Sequence, residues 1–264
     1  MTAAPASEID ELLALAVDIA LEAGTFIRAA RPAGPVRSET KSTATDAVTE
    51  FDHASEALIV ERLRVERPDD GIVAEEGTAD LGTTGVQWVI DPIDGTTNFL
   101  YDLPLYSVSI AAQDDEGGLV GAVYAPMTDE VFAARRGGGA TVNGRPISCS
   151  DQRILAETLV ATGFGYAAER RARQGARVGA LLPHVRDIRR LGSAAVDLCY
   201  VAAGRFDAYY EQYLNPWDLA AGELIAREAG ARLGQFDGAA GEPPGVLVSA
   251  PGVFDELLDL LHRS

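Results

Sequence analysis

The chain has 264 residues, 47% of them apolar and 23% charged, enough to bury a sizeable core in one large domain or two intimate halves. Its 40 acidic residues against 22 basic ones leave a net charge of −18, which argues against a nucleic-acid footprint and against an anionic membrane surface. That charge does not exclude a phosphorylated small molecule, because bound cations can reverse the sign inside one cleft.

No apolar run approaches the roughly 20 residues of a membrane span, and the N-terminus lacks the basic-then-apolar pattern of a signal peptide. Cys149 and Cys199 stand alone and read as buried small apolar residues in a reducing compartment. The expectation is a cytoplasmic enzyme with no membrane and no nucleic-acid partner.

In chain order, Ser7 is placed to cap a helix whose stripe is Ile9, Leu12, Leu13, Ala16, Ile19, Ala20, Ala23, Phe26 and Ile27. That helix fades near Arg31–Pro35. The polar stretch from Lys41 to Asp52 reads as a loop and then a cap. A second helix runs to about Arg67 and stops at Pro68. Ile72–Ala74 is a short strand ending in Glu75-Glu76-Gly77. Trp88–Ile90 is the end of a buried strand, with Asp91 where the chain leaves the sheet and Pro92 stopping the pairing. Asp94-Gly95-Thr96-Thr97 reads as a tight turn into a helix that Asp94 caps. Strands follow at Ser107–Ala112, Leu119–Tyr124 and Glu130–Ala134. Gly137–Gly139 and Asn143–Pro146 are loop or hairpin signals. The second half alternates strands at Thr158–Thr162, Val185–Arg190 and Phe206–Glu211 with helices at Ala168–Leu182, Ser193–Ala203 and Trp217–Ala229. Strands near Ala231–Leu233 and Val246–Ser249 and a helix at Val253–His262 end it. Mixed elements without repeats predict layered α/β (α+β) structure in one domain, with halves at about 1–150 and about 151–264.

The chemistry concentrates at strand ends. Asp91 and Asp94 repel, and each raises the other's pKa unless a cation lies between them. Free N–H groups at the bend favour an anion such as phosphate. A cation and a phosphate in one pocket point to metal-dependent phosphoryl transfer. Glu75 and Glu76 form a second acidic strand end that meets the first if the two strands are neighbours. Asp218, in Asn215-Pro216-Trp217-Asp218, starts a helix, where it would equally serve the helix dipole.

Asp91-Pro-Ile-Asp-Gly-Thr-Thr-Asn-Phe99 and Trp217-Asp-Leu-Ala-Ala-Gly222 resemble the two signature motifs of the inositol monophosphatase family. Ala74-Glu-Glu76 and Lys41-Ser-Thr-Ala-Thr-Asp46 resemble its other two site segments, in the same order and spacing. Arg190–Cys199 with Asp207–Glu211 most resembles the inositol-1-phosphate branch. The resemblance implies an αβαβα sandwich, commonly a homodimer, and hydrolysis of a phosphate monoester with two or three Mg²⁺. It implies that Glu75, Asp91 and the carbonyl of Ile93 hold one metal, that Asp91, Asp94 and Asp218 hold a second, and that Glu75 with water holds a weaker third. Thr96 backed by Asp52 resembles the water-orienting pair, acting with Glu75 in catalysis. The N–H groups of Gly95 and Thr96 would take phosphate oxygens. Glu211, ending the strand before Trp217, would read an alcohol hydroxyl, with Gly192, Ser193 and Ala194 as a ring-facing wall. Lys41 and Glu76 would support the site.

Rival readings are kept. A haloacid-dehalogenase-type phosphatase also uses an Asp–Gly–Thr turn, but its two Asp residues are two apart, not three. Related phosphatases acting on fructose 1,6-bisphosphate, histidinol phosphate or 3′-phosphoadenosine 5′-phosphate share such a metal site. A regulatory protein retaining an old metal site is the non-enzymatic alternative.

Overall fold

Helix α1 (Ala6–Ala30) buries Leu12, Ala16, Ile19, Ala20, Ala23 and Ile27 along one stripe. It already includes Ala6, so Ser7 lies inside the helix and does not cap it. The computed structural model describes residues 6–34, 36, 38–40, 47–238 and 241–264; Lys41 and the rest of the stretch to Asp46 lie outside them. Strands β1 (Glu39–Thr40) and β2 (Ala47–Val48) pair on either side of that stretch. Helix α2 (Glu50–Glu66) opens with a reciprocal capping box between Thr49 and Asp52 and ends ahead of Pro68.

Eight strands form the larger sheet: β3 (Gly71–Ala74), β4 (Ala79–Asp80), β5 (Gln87–Asp94), then, after the short helix α3 (Thr96–Leu100), β6 (Ser107–Asp114), β7 (Gly117–Ala125), β8 (Glu130–Arg135), β9 (Ala140–Val142) and β10 (Arg145–Ile147). Their order is β10-β9-β8-β7-β6-β5-β3-β4. Neighbours are antiparallel except β3 and β5, which run parallel. Asn143 and Gly144 form the two-residue turn between β9 and β10, both with positive φ, as a tight hairpin requires. The glycine triplet is the β8–β9 turn, and its Gly137 and Gly139 N–H groups hold the Glu228 carboxylate.

The second half supplies β11 (Leu159–Thr162), α4 (Ala168–Leu181), β12 (Asp187–Arg189), α5 (Ala194–Ala202), β13 (Ala208–Glu211), α6 (Pro216–Glu228), β14 (Arg232–Phe236), β15 (Gly245–Ser249) and α7 (Phe254–His262). The smaller sheet has the order β12-β11-β13-β15-β14. Helices α1 and α2 cover one face of the larger sheet. Helices α5 and α6 fill the space between the two sheets, and α4 and α7 close the outside. Three apolar clusters occupy the three gaps. This is the expected αβαβα sandwich. Cys199 is buried in the middle gap, whereas Cys149 is only half-buried.

Two local expectations are corrected at β5. The strand does not stop at Pro92; it continues to Asp94 through an irregularity in its pairing with β6. Proline is accommodated there because a bulge leaves its missing N–H without a ladder partner to lose. Nor does Asp94 cap the following helix. That position belongs to Gly95, at φ +91, and no side chain bonds across it.

Candidate active site

The bulge explains why two carboxylates three residues apart face the same way. Asp91 lies opposite Ser109 and Asp94 opposite Ser107, so three steps along β5 match two along β6. In a regular strand, positions three apart point to opposite faces. The extra residue returns Asp94 to the face of Asp91, towards α5 and α6.

The parallel pairing of β3 and β5 brings in the third acid. Ala74 is in register with Ile90, and the Glu75 N–H donates to the Ile90 carbonyl at 3.2 Å. Glu75, just past the end of β3, and Asp91, at the start of the irregularity in β5, therefore lie side by side. Asp218 arrives from the middle layer as the third residue of α6, where its Oδ2 accepts the Asn215 N–H at 2.6 Å. The helix-start role and the site role belong to one side chain. Oxygens of Asp91, Asp94 and Asp218 lie within 4.8 Å of one another.

Asp94 sits at the N-terminus of α5. It accepts from Ser193 Oγ at 2.5 Å, Ala195 N–H at 2.8 Å and Ala194 N–H at 3.3 Å. These donors oppose a rise in its pKa that burial causes. Asp91 is pushed well above the usual carboxylate range by burial first, then by Glu75, Asp94 and Asp218. Asp218 is pushed up likewise, by burial and then Asp94. Like charges confined in this way favour a hard cation, and the all-oxygen donor set suits Mg²⁺.

Thr96 Oγ lies 3.2 Å from Asp52 Oδ1 and 3.1 Å from the Ile93 carbonyl. Asp52 is fully buried, and its other oxygen accepts the Thr49 N–H and hydroxyl. Gly95 has little room for a side chain: a Cβ there would meet the Gly192 carbonyl at 3.1 Å. Glu211 accepts the Tyr209 hydroxyl at 2.7 Å, and burial raises its pKa to about 7.

Beside these groups lies a cavity of about 170 Å³, whose lining does not include Asp52, Asp91 or Thr96. Glu75, Asp94, Gly95, Gly192, Ser193, Ala194, Glu211 and Asp218 all line it. Glu76 is not among the lining residues: its carboxylate is 3.9 Å from His53 and its N–H donates to Glu56. Lys41 lies outside the described residues. Several residues at or around the wall escaped the sequence reading. Behind the wall, Asn98 donates from Nδ2 to the Leu105 and Leu191 carbonyls, both at 2.8 Å, fastening α3 to the approach of α5. Gly163 leaves space for Glu211, whose carboxylate a Cβ would overlap. Asp197 is buried with an unpartnered Oδ1, and burial followed by Glu211 and Asp94 holds its pKa high. Phe164, Tyr166, Arg170 and Tyr213 also line the cavity, as does Arg190, whose charge opposes the rise of the Asp94 and Glu211 pKa values. A buried-face acid on a helix of small residues was the available signal for Asp197.

The family model described as the inositol monophosphatase family matches residues 8–263. The chain belongs to the inositol monophosphatase family. This inositol monophosphatase relative is 44% identical over 279 residues to an inositol-1-monophosphatase of Mycobacterium leprae, covering 98% of this chain and 96% of that one. It is 42% identical to the Nus factor SuhB of Escherichia coli K12 over 264 residues, covering 96% and 99%. Its fold superimposes on the extragenic suppressor protein suhB of Bartonella henselae with a TM-score of 0.89 at 32% identity, covering 96% and 99%. A structure of SaIMPase-II with bound inositol monophosphate gives a TM-score of 0.78 at 26% identity, covering 96% and 94%. Family membership makes the protein a phosphoric monoester hydrolase.

Proposed function

We propose that the protein hydrolyses inositol 1-phosphate to inositol and phosphate with Mg²⁺, in the cytoplasm and as a homodimer. The observation that carries the reading is the convergence of Asp91, Asp94 and Asp218 within 4.8 Å, at a cavity lined by Asp94, Asp218, Glu75 and Glu211. The names of the mycobacterial relative and of the inositol-monophosphate-bound structure support the alcohol.

Glu75, Asp91 and the Ile93 carbonyl would hold one cation, Asp91, Asp94 and Asp218 a second, and Glu75 a weaker third. Bound there, Mg²⁺ would polarise the phosphate, acidify the attacking water and offset charge on the departing alcohol. Thr96 Oγ accepts a hydrogen bond from that water while donating to Asp52, so the oxygen lone pair faces phosphorus. The Gly95 and Thr96 N–H groups hold phosphate oxygens. Glu211 accepts from a hydroxyl of the alcohol, and Gly192, Ser193 and Ala194 form the wall beside it.

The test is a panel with Mg²⁺: inositol 1-phosphate, fructose 1,6-bisphosphate, histidinol phosphate and 3′-phosphoadenosine 5′-phosphate. Inositol 1-phosphate is expected to give the highest kcat/KM, and a higher value for any other would transfer the assignment to it. A regulatory role is a second reading, favoured by the relative named Nus factor SuhB. It predicts a cellular phenotype of gene loss that an Asp94→Asn protein still complements.

A further inference from the structure

Helix α2 buries Asp52, Ser55, Glu56, Ile59, Val60 and Leu63. These positions form one stripe of helical period. Its C-terminal part is apolar and packs in the core between α1, α2 and the larger sheet. Its first part is polar, and that part abuts the acidic site. Ser55 is fully buried and Glu56 is 5% exposed. Buried polar side chains of this kind are costly unless they are satisfied.

Each is satisfied by a segment that carries a metal-ligand candidate. Ser55 Oγ donates to the Pro92 carbonyl at 3.0 Å. Pro92 lies at the bulge, between Asp91 and Ile93, where the ladder to β6 is interrupted. The Glu56 carboxylate accepts the Glu76 N–H at 2.7 Å through one oxygen. Its other oxygen takes the Thr78 hydroxyl at 2.7 Å and the Thr78 N–H at 3.2 Å. Glu75 is thus bracketed. Its own N–H is bonded to β5, and the turn that follows it is fastened to α2. Asp52, one turn earlier, holds Thr96. One helix face therefore reaches the irregularity within β5, the turn that follows β3 and the start of α3.

We propose that Ser55 and Glu56 are positioning residues of the metal centre: by fixing the Pro92 carbonyl and the Glu76–Thr78 turn, they set where Asp91, the Ile93 carbonyl and Glu75 point, and with that the affinity for a divalent cation. Neither residue touches substrate. Their action is that of the outer hydrogen bonds that orient ligands in metal sites. The proposal rests on the metal assignment of the preceding subsection.

The test measures Mg²⁺ binding directly by calorimetry, well below the unfolding temperature of each variant. Glu56→Gln keeps the size of the side chain but turns an NH₂ towards N–H donors. Ser55→Ala removes one hydroxyl from a helix that tolerates alanine. Each is expected to weaken Mg²⁺ binding by about tenfold or more, within the range of about 10- to 100-fold typical of outer-shell losses. The Mg²⁺ concentration for half-maximal turnover should rise in parallel, and kcat at saturating Mg²⁺ should recover most of the wild-type value. Ile59→Val, on the same stripe, should lower Tm and leave Mg²⁺ affinity unchanged. Folded variants with wild-type affinity, or variants that lose Tm alone as Ile59→Val does, would overturn the proposal. Should Glu56→Gln fail to fold, Ser55→Ala decides by the same measurement. A wild-type protein that binds no Mg²⁺ would instead remove the metal assignment itself, and the positioning role with it.

Discussion

Asp94 carries two duties at once, and its neighbours show how one carboxylate can hold both. Ser193 Oγ and two N–H groups of α5 fix its orientation, while it stays within 4.8 Å of Asp91 and Asp218. Asp94→Asn removes the charge and keeps the shape. Its amide oxygen can take the place of Oδ2 and accept from both Ser193 Oγ and the Ala195 N–H, which leaves the NH₂ at the longer Ala194 contact, so folding should survive with a loss of about 1 kcal/mol. Turnover should fall by orders of magnitude. Asp218→Asn should behave alike, and the double variant should be far from additive, because both act on one ion. Near wild-type turnover of either variant at saturating Mg²⁺ would count against the shared ligand role. Glu211 poses a different question. Its carboxylate is held by Tyr209 at the end of β13 and lines the cavity beside Ser193. If it accepts from an alcohol hydroxyl, Glu211→Gln should lose about 1.5–3 kcal/mol, roughly ten- to hundredfold, on inositol 1-phosphate. A plain ester such as p-nitrophenyl phosphate should suffer much less. Equal losses in kcat/KM on both substrates would assign Glu211 to support of the metal site.

At the scale of elements, the chain's own local chemistry explains both what was legible and what was not. The helices α1, α2, α4, α5, α6 and α7 follow from apolar spacing, from Pro68 and Pro216 and from the Ser193 cap. Glu75 after Ile72–Ala74 and the acid pair after Trp88–Ile90 became one site once β3 and β5 proved to be neighbours, whereas Glu76 stayed outside it. The bulge was not readable, because proline ends a regular strand and nothing local says that Ile93 and Asp94 rejoin it. Asp94 looked like the cap of α3 because an Asp before Gly-Thr-Thr fits a local cap, whereas its hydrogen-bond donors are about a hundred residues away. Ser55 and Glu56 were discoverable: projecting the stripe Ile59, Val60 and Leu63 back one turn lands on polar residues facing a core. The turns make a prediction of their own. Gly95, at φ +91 and with a prospective Cβ 3.1 Å from the Gly192 carbonyl, should lose about 1–3 kcal/mol on change to Ala. Gly175 and Gly179 lie in α4 with nothing within 4 Å of a prospective Cβ. Their change to Ala should gain about 0.5–1 kcal/mol each. Thermal unfolding of the three variants checks the contrast; a Gly95→Ala protein as stable as wild type would show that the β5–α3 bend relaxes freely.

At the scale of the molecule, the acidic centre is where its layers meet. The larger sheet contributes Glu75 and Asp91, the smaller sheet contributes Glu211, and the middle helices contribute Asp218 and the donors to Asp94. Stability should therefore depend on the charge state of this junction. The pKa values of Asp91, Asp94, Asp218 and Glu211 are raised in the folded protein, Glu211 to about 7. A carboxyl whose folded pKa is raised contributes stability that is fully present below its unfolded pKa and is lost as pH rises through the folded one. Between about pH 5 and about pH 8 the metal-free protein should lose stability as these groups ionise against one another. The surface ion pairs contribute little slope there. Asp114 beside Arg136, Glu130 beside Arg205 and Asp255 beside Arg232 have lowered pKa values, so they are ionised in both states across that interval. Mg²⁺ binds the ionised carboxylates and competes with protons, so the stability it adds should grow over the same interval, following RT ln(1 + [Mg²⁺]/Kd) as Kd tightens. Each kcal/mol corresponds to roughly 2–4 °C in Tm for a chain near this size, so scans with chelator and with excess Mg²⁺ at several pH values resolve the two slopes. Asp91→Asn removes one of the repelling charges and should flatten the metal-free slope while weakening the response to Mg²⁺. A metal-free Tm that holds level or climbs from about pH 5 to about pH 8, or a Mg²⁺ increment independent of pH, would show that the cluster is not a set of confined like charges awaiting a cation.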